Sequence, residues 1–378
     1  MIYLDYNATS PVRREALDAV TSAMEMGGNP SSVHAAGRIA RVMVEQARIE
    51  VASLVAVHPA SITFMSGGTE ANITAIASAV LAGARRPIVL LTEHDSVMQT
   101  TLASGLPVEG WPVYASGVAD LDWLRERLSG WNVEEDGAPF VAMALANNET
   151  GVVQPVAEAS AIVREAGGWL HVDAVQAAGK IAVDFNALGA DTMTLSAHKL
   201  GGPQGVGALV AGKRATLTRR TFGGGQERGL RAGTENVPGI VGFGEAALAA
   251  VRDLDALAAQ AAWRDAAQAR LEREAGVTVF GADAPRLPQT LCFGRDGFGS
   301  ELQVMALDLA GVMVSAGAAC SSGKVARSHV LQAMGAGDLA GCAIRVSGGW
   351  ATSAEDWDRF VDTWLEANAR HASRREVA

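Results

Sequence analysis

The sequence predicts an α/β fold, with a large domain built on a mostly parallel sheet and a smaller α+β domain completing it. Three observations predict it. Short apolar runs that read as buried strands alternate with stretches of helical spacing, the pattern of strand–helix–strand units. At 378 residues and 49% hydrophobic content, the chain can bury more than one small domain's core. Only 19% of residues are charged while Gly contributes 42, which suits a compact α/β enzyme with many tight turns. The boundaries expected are 12–255 for the large domain, and 1–11 plus 256–378 for the small one.

The chain opens with a short arm, strand-like over Ile2-Tyr-Leu4 and polar turn chemistry over Asp5–Pro11. A helix follows at about 12–26, broken by Gly27-Gly28-Asn29-Pro30. From Ser32 to Ala56 the apolar residues again recur at helical spacing. Ile62–Ile76 reads as strand, glycine turn and apolar helix starting near Thr69. That geometry presents backbone N–H groups and a helix dipole to an anion, although Ser66-Gly-Gly-Thr69 is also ordinary N-cap chemistry. Pro87–Leu91, Phe140–Leu145 and Trp169–Val172 are strands, with a helix near 155–166. The strand 191–195 runs into Ser196, His198 and Lys199, and Val206–Val210 is a further strand. Thr221–Thr234 is a polar glycine-rich loop, and Val237–Arg273 reads as one Ala-rich helical spine. Beyond about 276 the strands shorten, and antiparallel or mixed pairing is expected.

Ligands of a parallel sheet bind at the carboxyl ends of its strands. Four successive strand ends carry polar or ionisable groups: His94, Asn148, Asp173 with Gln176, and Ser196 with Lys199. A lysine directly after a buried strand is costly unless paired or neutral, and a desolvated lysine has the lowered pKa that Schiff-base chemistry needs. The alternative is a solvated lysine at the strand edge. If the chain stays extended, Ser196 and His198 share a face and meet an anion together. In the second domain, Arg345 sits within the apolar strand Ala343–Ser347, where a guanidinium needs an anionic partner; an internal salt bridge would also satisfy it. Cys320 lies among Ala, Gly and Ser, a setting for an accessible thiol; the alternative, usual for a free cysteine, is a small buried hydrophobe.

The net charge of −10 and the absence of a basic run argue against nucleic acid as a partner. Cys292, Cys320 and Cys342 are too scattered for a disulfide framework or a structural zinc site, and no metal is expected. No signal-peptide pattern and no apolar stretch of roughly 18 residues occurs, so a cytoplasmic protein without membrane contact is expected.

The motifs Ser66-Gly-Gly-Thr-Glu70, Thr92-Glu-His94, Asn147-Asn-Glu149, His171-Val-Asp-Ala-Val-Gln176, Ser196-Ala-His-Lys199 and Arg231-Ala-Gly-Thr234 stand in the order seen in cysteine desulfurases. Tyr3–Thr9 and Gly28–His34 match as well, and the resemblance runs from about residue 2 to 365. The Cys320 loop resembles the NifS/IscS-type group rather than the SufS-type group. The resemblance implies a fold-type I enzyme, dependent on pyridoxal 5'-phosphate and active as a homodimer. It implies that Lys199 holds the cofactor, Asp173 pairs with its ring nitrogen, Gln176 bonds its ring hydroxyl and His94 stacks on the ring as acid and base. Gly68, Thr69, Ser196 and His198 would hold the phosphate, with Thr234 reaching it from the other subunit. Asn148 and Arg345 would position L-cysteine, Arg345 taking its carboxylate in a fork. Cys320 would take the sulfur as a persulfide, L-alanine would leave, and the sulfur would pass to an acceptor protein in iron–sulfur or other thio-cofactor biosynthesis. The alternative is a selenocysteine lyase or another enzyme of the class V aminotransferase type. After Cys320 the chain reads Ser-Ser-Gly-Lys-Val-Ala-Arg-Ser-His329, where the family often has Leu-Glu-Pro-Ser, and no long C-terminal extension for scaffold docking follows.

Overall fold

The computed structural model describes residues 1–317 and 327–377, the last four of them by their backbone alone; Cys320 lies outside the described residues. Thirteen strands are described, numbered β1 to β13. β1 is Ile2–Tyr3, β2 Ile62–Met65, β3 Ile88–Leu90, β4 Glu109–Trp111, β5 Phe140–Ala144, β6 Trp169–Asp173 and β7 Thr192–Ser196. β8 is Gly207–Ala211, β9 Thr278–Val279, β10 Thr290–Gly294, β11 Val312–Met313, β12 Ser315–Ala316 and β13 Ala343–Ser347.

Seven strands form the main sheet in the order β2-β8-β7-β6-β5-β3-β4. From β4 through β3, β5 and β6 to β7 every pairing is parallel. β8 runs antiparallel to both of its neighbours, β7 and β2. The sheet is therefore mixed at that end, because Gly201–Gly205 returns the chain directly beside β7 without a crossover helix. β5 is buried along its whole length, as a strand covered on both faces must be.

A second sheet, β12-β13-β10-β9, is antiparallel throughout. Its core is separate and aromatic: Phe293, Phe360, Trp357 and Trp364 pack together with Leu291, Ile344 and Val346. The main sheet instead buries a broad aliphatic cluster that includes Val141, Met143, Val172, Met193 and Leu195. The arm joins the two regions. β1 pairs in parallel with β11, Asp5 bridges to Ser347, and the Ser10 N–H donates to the His198 carbonyl.

Two sequence expectations change here. The spine expected over 237–273 is three helices, Val237–Arg252, Leu254–Ala258 and Gln260–Ala275. The first break falls at Asp253, whose carboxylate is drawn aside to Arg13 at 2.5 Å. The chain after β7 also does not stay extended: Ala197–Lys199 is a 3-10 turn, so Ser196 and His198 are not related by strand alternation. Among the described residues no helix is long and apolar enough to cross a membrane.

Candidate active site

The carboxyl ends of the parallel strands converge on one cavity of ≈ 190 Å³. It is lined by Gly68, Thr69, His94, Asn148, Asp173, Gln176, Ser196, His198 and Lys199, together with Asn72, Ser96 and Val175. Of the twelve residues singled out from sequence, nine therefore line one space. Arg345 reaches it at one remove, through the Asn148 carbonyl. Thr234 is exposed on its loop and lies away from the cavity of its own chain. Cys320 falls outside the described residues.

The helix Gly68–Leu81 begins at one wall of the cavity. A Cβ on Gly68 would stand 3.1 Å from Val175 Cγ2 and 3.5 Å from Thr194 Cγ2, so glycine there keeps the mouth of the helix clear. The Glu70 carboxylate folds back to accept from the Ser66 N–H at 2.5 Å and pairs with Arg231 at 3.2 Å. Burial raises the Glu70 pKa, but Ser66 and Arg231 outweigh it and leave the group below its ordinary value. The helix N-terminus and the neighbouring Thr69, Ser196 and His198 form an end of the cavity suited to an anion.

His94 caps the helix Asp95–Ala103, its Nδ1 accepting from the Ser96 N–H at 3.0 Å. A neutral His94 therefore carries its ring hydrogen on Nε2. His198 lies 3.1 Å from the Thr9 hydroxyl, and burial, then Lys199 and Lys180, hold its pKa down at about 4. It is neutral at physiological pH and donates through one N–H.

Asp173 ends β6 and is held by neutral donors. Its Oδ1 accepts from the Val175 N–H at 2.9 Å and its Oδ2 from the Asn72 amide at 2.8 Å. Behind it, the Asn72 carbonyl and the His171 Nε2 are 2.9 Å apart, and the Thr192 hydroxyl is 2.9 Å from His171 Nδ1. His171 is fully buried, and desolvation lowers its pKa to about 4 although Asp173 pulls the other way. His171 is neutral at physiological pH, so the support behind Asp173 brings no counter-charge to it. Asn72 also donates to the Ser96 hydroxyl at 2.8 Å, coupling the Asp173 and His94 supports.

Lys199 closes the opposite side. Its Nζ donates to the Asn7 and Ala8 carbonyls at 2.6 and 2.7 Å. The Gln176 amide donates to the same Asn7 carbonyl at 2.9 Å, and the Asn7 amide donates to the Asn148 carbonyl at 3.2 Å. Arg345 donates to Asn148 at 3.0 Å and pairs with Asp5 at 2.7 Å; its Nε, buried, has no partner among the described residues.

Sequence reasoning missed Asn7, Asn72 and Lys180. The available signal for Asn72 was a carboxamide on the buried face of a helix whose other buried positions are mostly Ala and Ile. For Lys180 it was an amine one helical turn after Gln176 in an otherwise apolar stretch.

A profile of the class V aminotransferase family matches residues 2–360. The chain is similar to a cysteine desulfurase of Cereibacter sphaeroides, 41% identical over 96% of this chain and 94% of that protein. It is 36% identical to a cysteine desulfurase IscS of Dictyoglomus turgidum, over 96% of this chain and 93% of that one. Among solved structures, a NifS-like protein from Rickettsia africae superposes with a TM-score of 0.89 at 31% identity, covering 98% of this chain and 99% of that one. A structure described as SspA in complex with cysteine superposes with a TM-score of 0.76 at 27% identity, covering 92% of this chain and 98% of that one.

Proposed function

The chain belongs to the class V aminotransferase family, and on that premise we propose that it is a pyridoxal-phosphate-dependent cysteine desulfurase that turns L-cysteine into L-alanine and leaves the sulfur on Cys320. The fold is that of the fold-type I enzymes. One observation carries the reading. An amine, an unneutralised carboxylate, a carboxamide donor and an anion-binding end share one cavity, in a chain 41% identical to a cysteine desulfurase.

The donor set fits the cofactor. The end formed by Thr69, Ser196, His198 and the helix N-terminus suits a phosphate, and Asp173 suits a protonated ring nitrogen. The Gln176 amide suits a ring oxygen, and the Lys199 amine suits a carbonyl carbon. Gly68 leaves room for the phosphate to approach the helix backbone.

Pyridoxal phosphate, when bound, supplies an electron sink for the charge left as the substrate Cα loses its proton. The residues of this chain do the rest. Arg345 exchanges Asp5 for the substrate carboxylate and, with Asn148, fixes the amino acid's orientation. Lys199 Nζ takes the proton from the substrate Cα, and His94 Nε2 holds a proton for delivery beside it. The Cys320 thiolate attacks the substrate sulfur; an S–S bond forms as the C–S bond breaks, and protonation of the carbon left behind gives alanine.

Thr234 is proposed to complete the phosphate site of a partner subunit in a homodimer. Its exposure supports this, as does its loop, which is tied down by the buried Arg48–Glu227 pair at 2.8 Å. An acceptor thiol on another protein would then take the persulfide sulfur toward iron–sulfur or other thio-cofactor synthesis. A reducing compartment keeps Cys320 available for this, and we place the protein in the cytoplasm on that ground.

The test is anaerobic incubation with L-cysteine and a thiol reductant, measuring sulfide and alanine. Equal yields are expected, abolished in Cys320→Ala while the visible band of bound cofactor persists. Undiminished sulfide from that variant would refute the persulfide step and favour a lyase.

A further inference from the structure

Lys180 is a second amine behind the cavity, and its surroundings are unusual for a lysine. It is fully buried, and among the described residues no carboxylate lies within ion-pair reach. Its Nζ donates to Asn7 Oδ1 at 2.7 Å and to Gln176 Oε1 at 2.6 Å. The charged groups facing it are cationic: burial first, then Lys199 and Arg345, drive its pKa far below the ordinary lysine value. Arg345 is already paired with Asp5, and on the far side, across a second cavity that both lysines line, Arg13 is paired with Asp253. A methionine would fill this position without the desolvation cost, so stability alone does not account for an amine here.

Two consequences follow from the bonds. The Lys180 Nζ donates to the Gln176 oxygen, so Gln176 is held with that oxygen turned inward and its NH2 as the end available to donate. In this structure that NH2 donates to the Asn7 carbonyl, which also accepts from Lys199. Lys180 holds the side chain of Asn7 and Lys199 holds its backbone, so one residue spaces two amines.

Resting on the cofactor assignment above, we infer that Lys180 is a positioning residue: it sets the donor end of Gln176 toward a ring oxygen of the bound cofactor. The experiment compares the wild type with Lys180→Met and Lys180→Arg. After loading with pyridoxal phosphate, the visible band is titrated with pH and cofactor affinity is measured by equilibrium dialysis. Lys180→Met is expected to raise the midpoint of the visible band by about one pH unit and to weaken cofactor binding about tenfold, while Lys180→Arg, which still donates to the Gln176 oxygen, keeps the midpoint close to wild type. A band midpoint unmoved in the Met variant overturns the inference, whether or not its melting temperature falls. Should the Met variant not fold, Lys180→Leu carries the same expectation. A wild type that binds no pyridoxal phosphate refutes the cofactor assignment, whereas a wild type that binds it beside a Met variant with an unmoved band midpoint refutes the role of Lys180 alone.

Discussion

Asp173 and Arg345 are both charged, both almost fully buried and both close to one cavity, yet they are held in opposite ways. Asp173 stands at the end of a strand in the seven-stranded sheet and is supported only by neutral groups, the Val175 N–H and the Asn72 amide, with His171 and Thr192 behind them. Arg345 stands in the middle of β13 in the antiparallel sheet and is neutralised by Asp5 from the arm. Neutral support leaves a charge unspent, so Asp173 can face a permanent cationic partner. A counter-ion can be exchanged, so Arg345 can release Asp5 when another carboxylate arrives. The main sheet thus builds the standing part of the proposed site, and the smaller sheet contributes the part that turns over with substrate.

If the contrast is sound, the largest effect belongs to Asp173. Asp173→Ala is expected to lower kcat/KM on the order of 10³-fold, as loss of a preorganised electrostatic partner does, with the fold intact by circular dichroism. A loss of less than tenfold would mean that the carboxylate is merely structural.

Next comes the acid sensitivity built into its support. Burial holds the His171 pKa at about 4, against roughly 6.5 in the unfolded chain, so the unfolded chain takes the proton first as pH falls. The His171 contribution is complete above pH 6.5 and is lost progressively toward pH 4, about 3 kcal/mol in all. Melting temperature against pH should show that slope, and His171→Asn should flatten it.

Arg345→Met should act on substrate alone, raising KM for L-cysteine by about 10- to 100-fold, the loss of charge-assisted bonds, while cofactor affinity stays unchanged. A parallel fall in cofactor affinity would erase the distinction between standing and exchangeable parts.

The smallest effect is predicted at Glu93, beside Asp173. Burial, then the Asp173 charge, raise its pKa well above the ordinary carboxylate value, and its Oε1 has no partner among the described residues. If that shift holds Glu93 neutral, Glu93→Gln should change stability by less than about 0.5 kcal/mol in urea unfolding. A large loss would mean that a second negative charge stands beside Asp173.

The standing part of the site was legible in the sequence because each buried strand ends where apolar residues give way to His94, Asn148, Asp173 or Lys199. Continuous apolar runs with polar ends survive any detail of packing. What was not legible depends on contacts remote in sequence. Nothing local says that Asp253 will turn toward Arg13 and break the helical run, or that β8 will return antiparallel. Nor does Asn7, in a short polar arm, announce that it will meet Gln176, Lys180, Lys199, Thr290 and Ser347. The 3-10 turn over Ala197–Lys199 replaced strand alternation because the Leu200 N–H closes onto the Ala197 carbonyl.

The arm also imposes an order of events during synthesis. Asp5 meets Arg345 across 340 residues, and Asn7 meets Ser347 across the same separation. The segment that leaves the ribosome early is therefore completed by a strand made near the end. Until β13 emerges, Asn7 has no Ser347 to bind its backbone and Thr290 has no neighbouring strand on that side. The two lysines then lack the fixed carbonyls that space them. Cofactor capture is accordingly a late step in biogenesis: a nascent chain stalled before Ala343 would carry Lys199, Asp173 and Gln176 in full yet present no finished site.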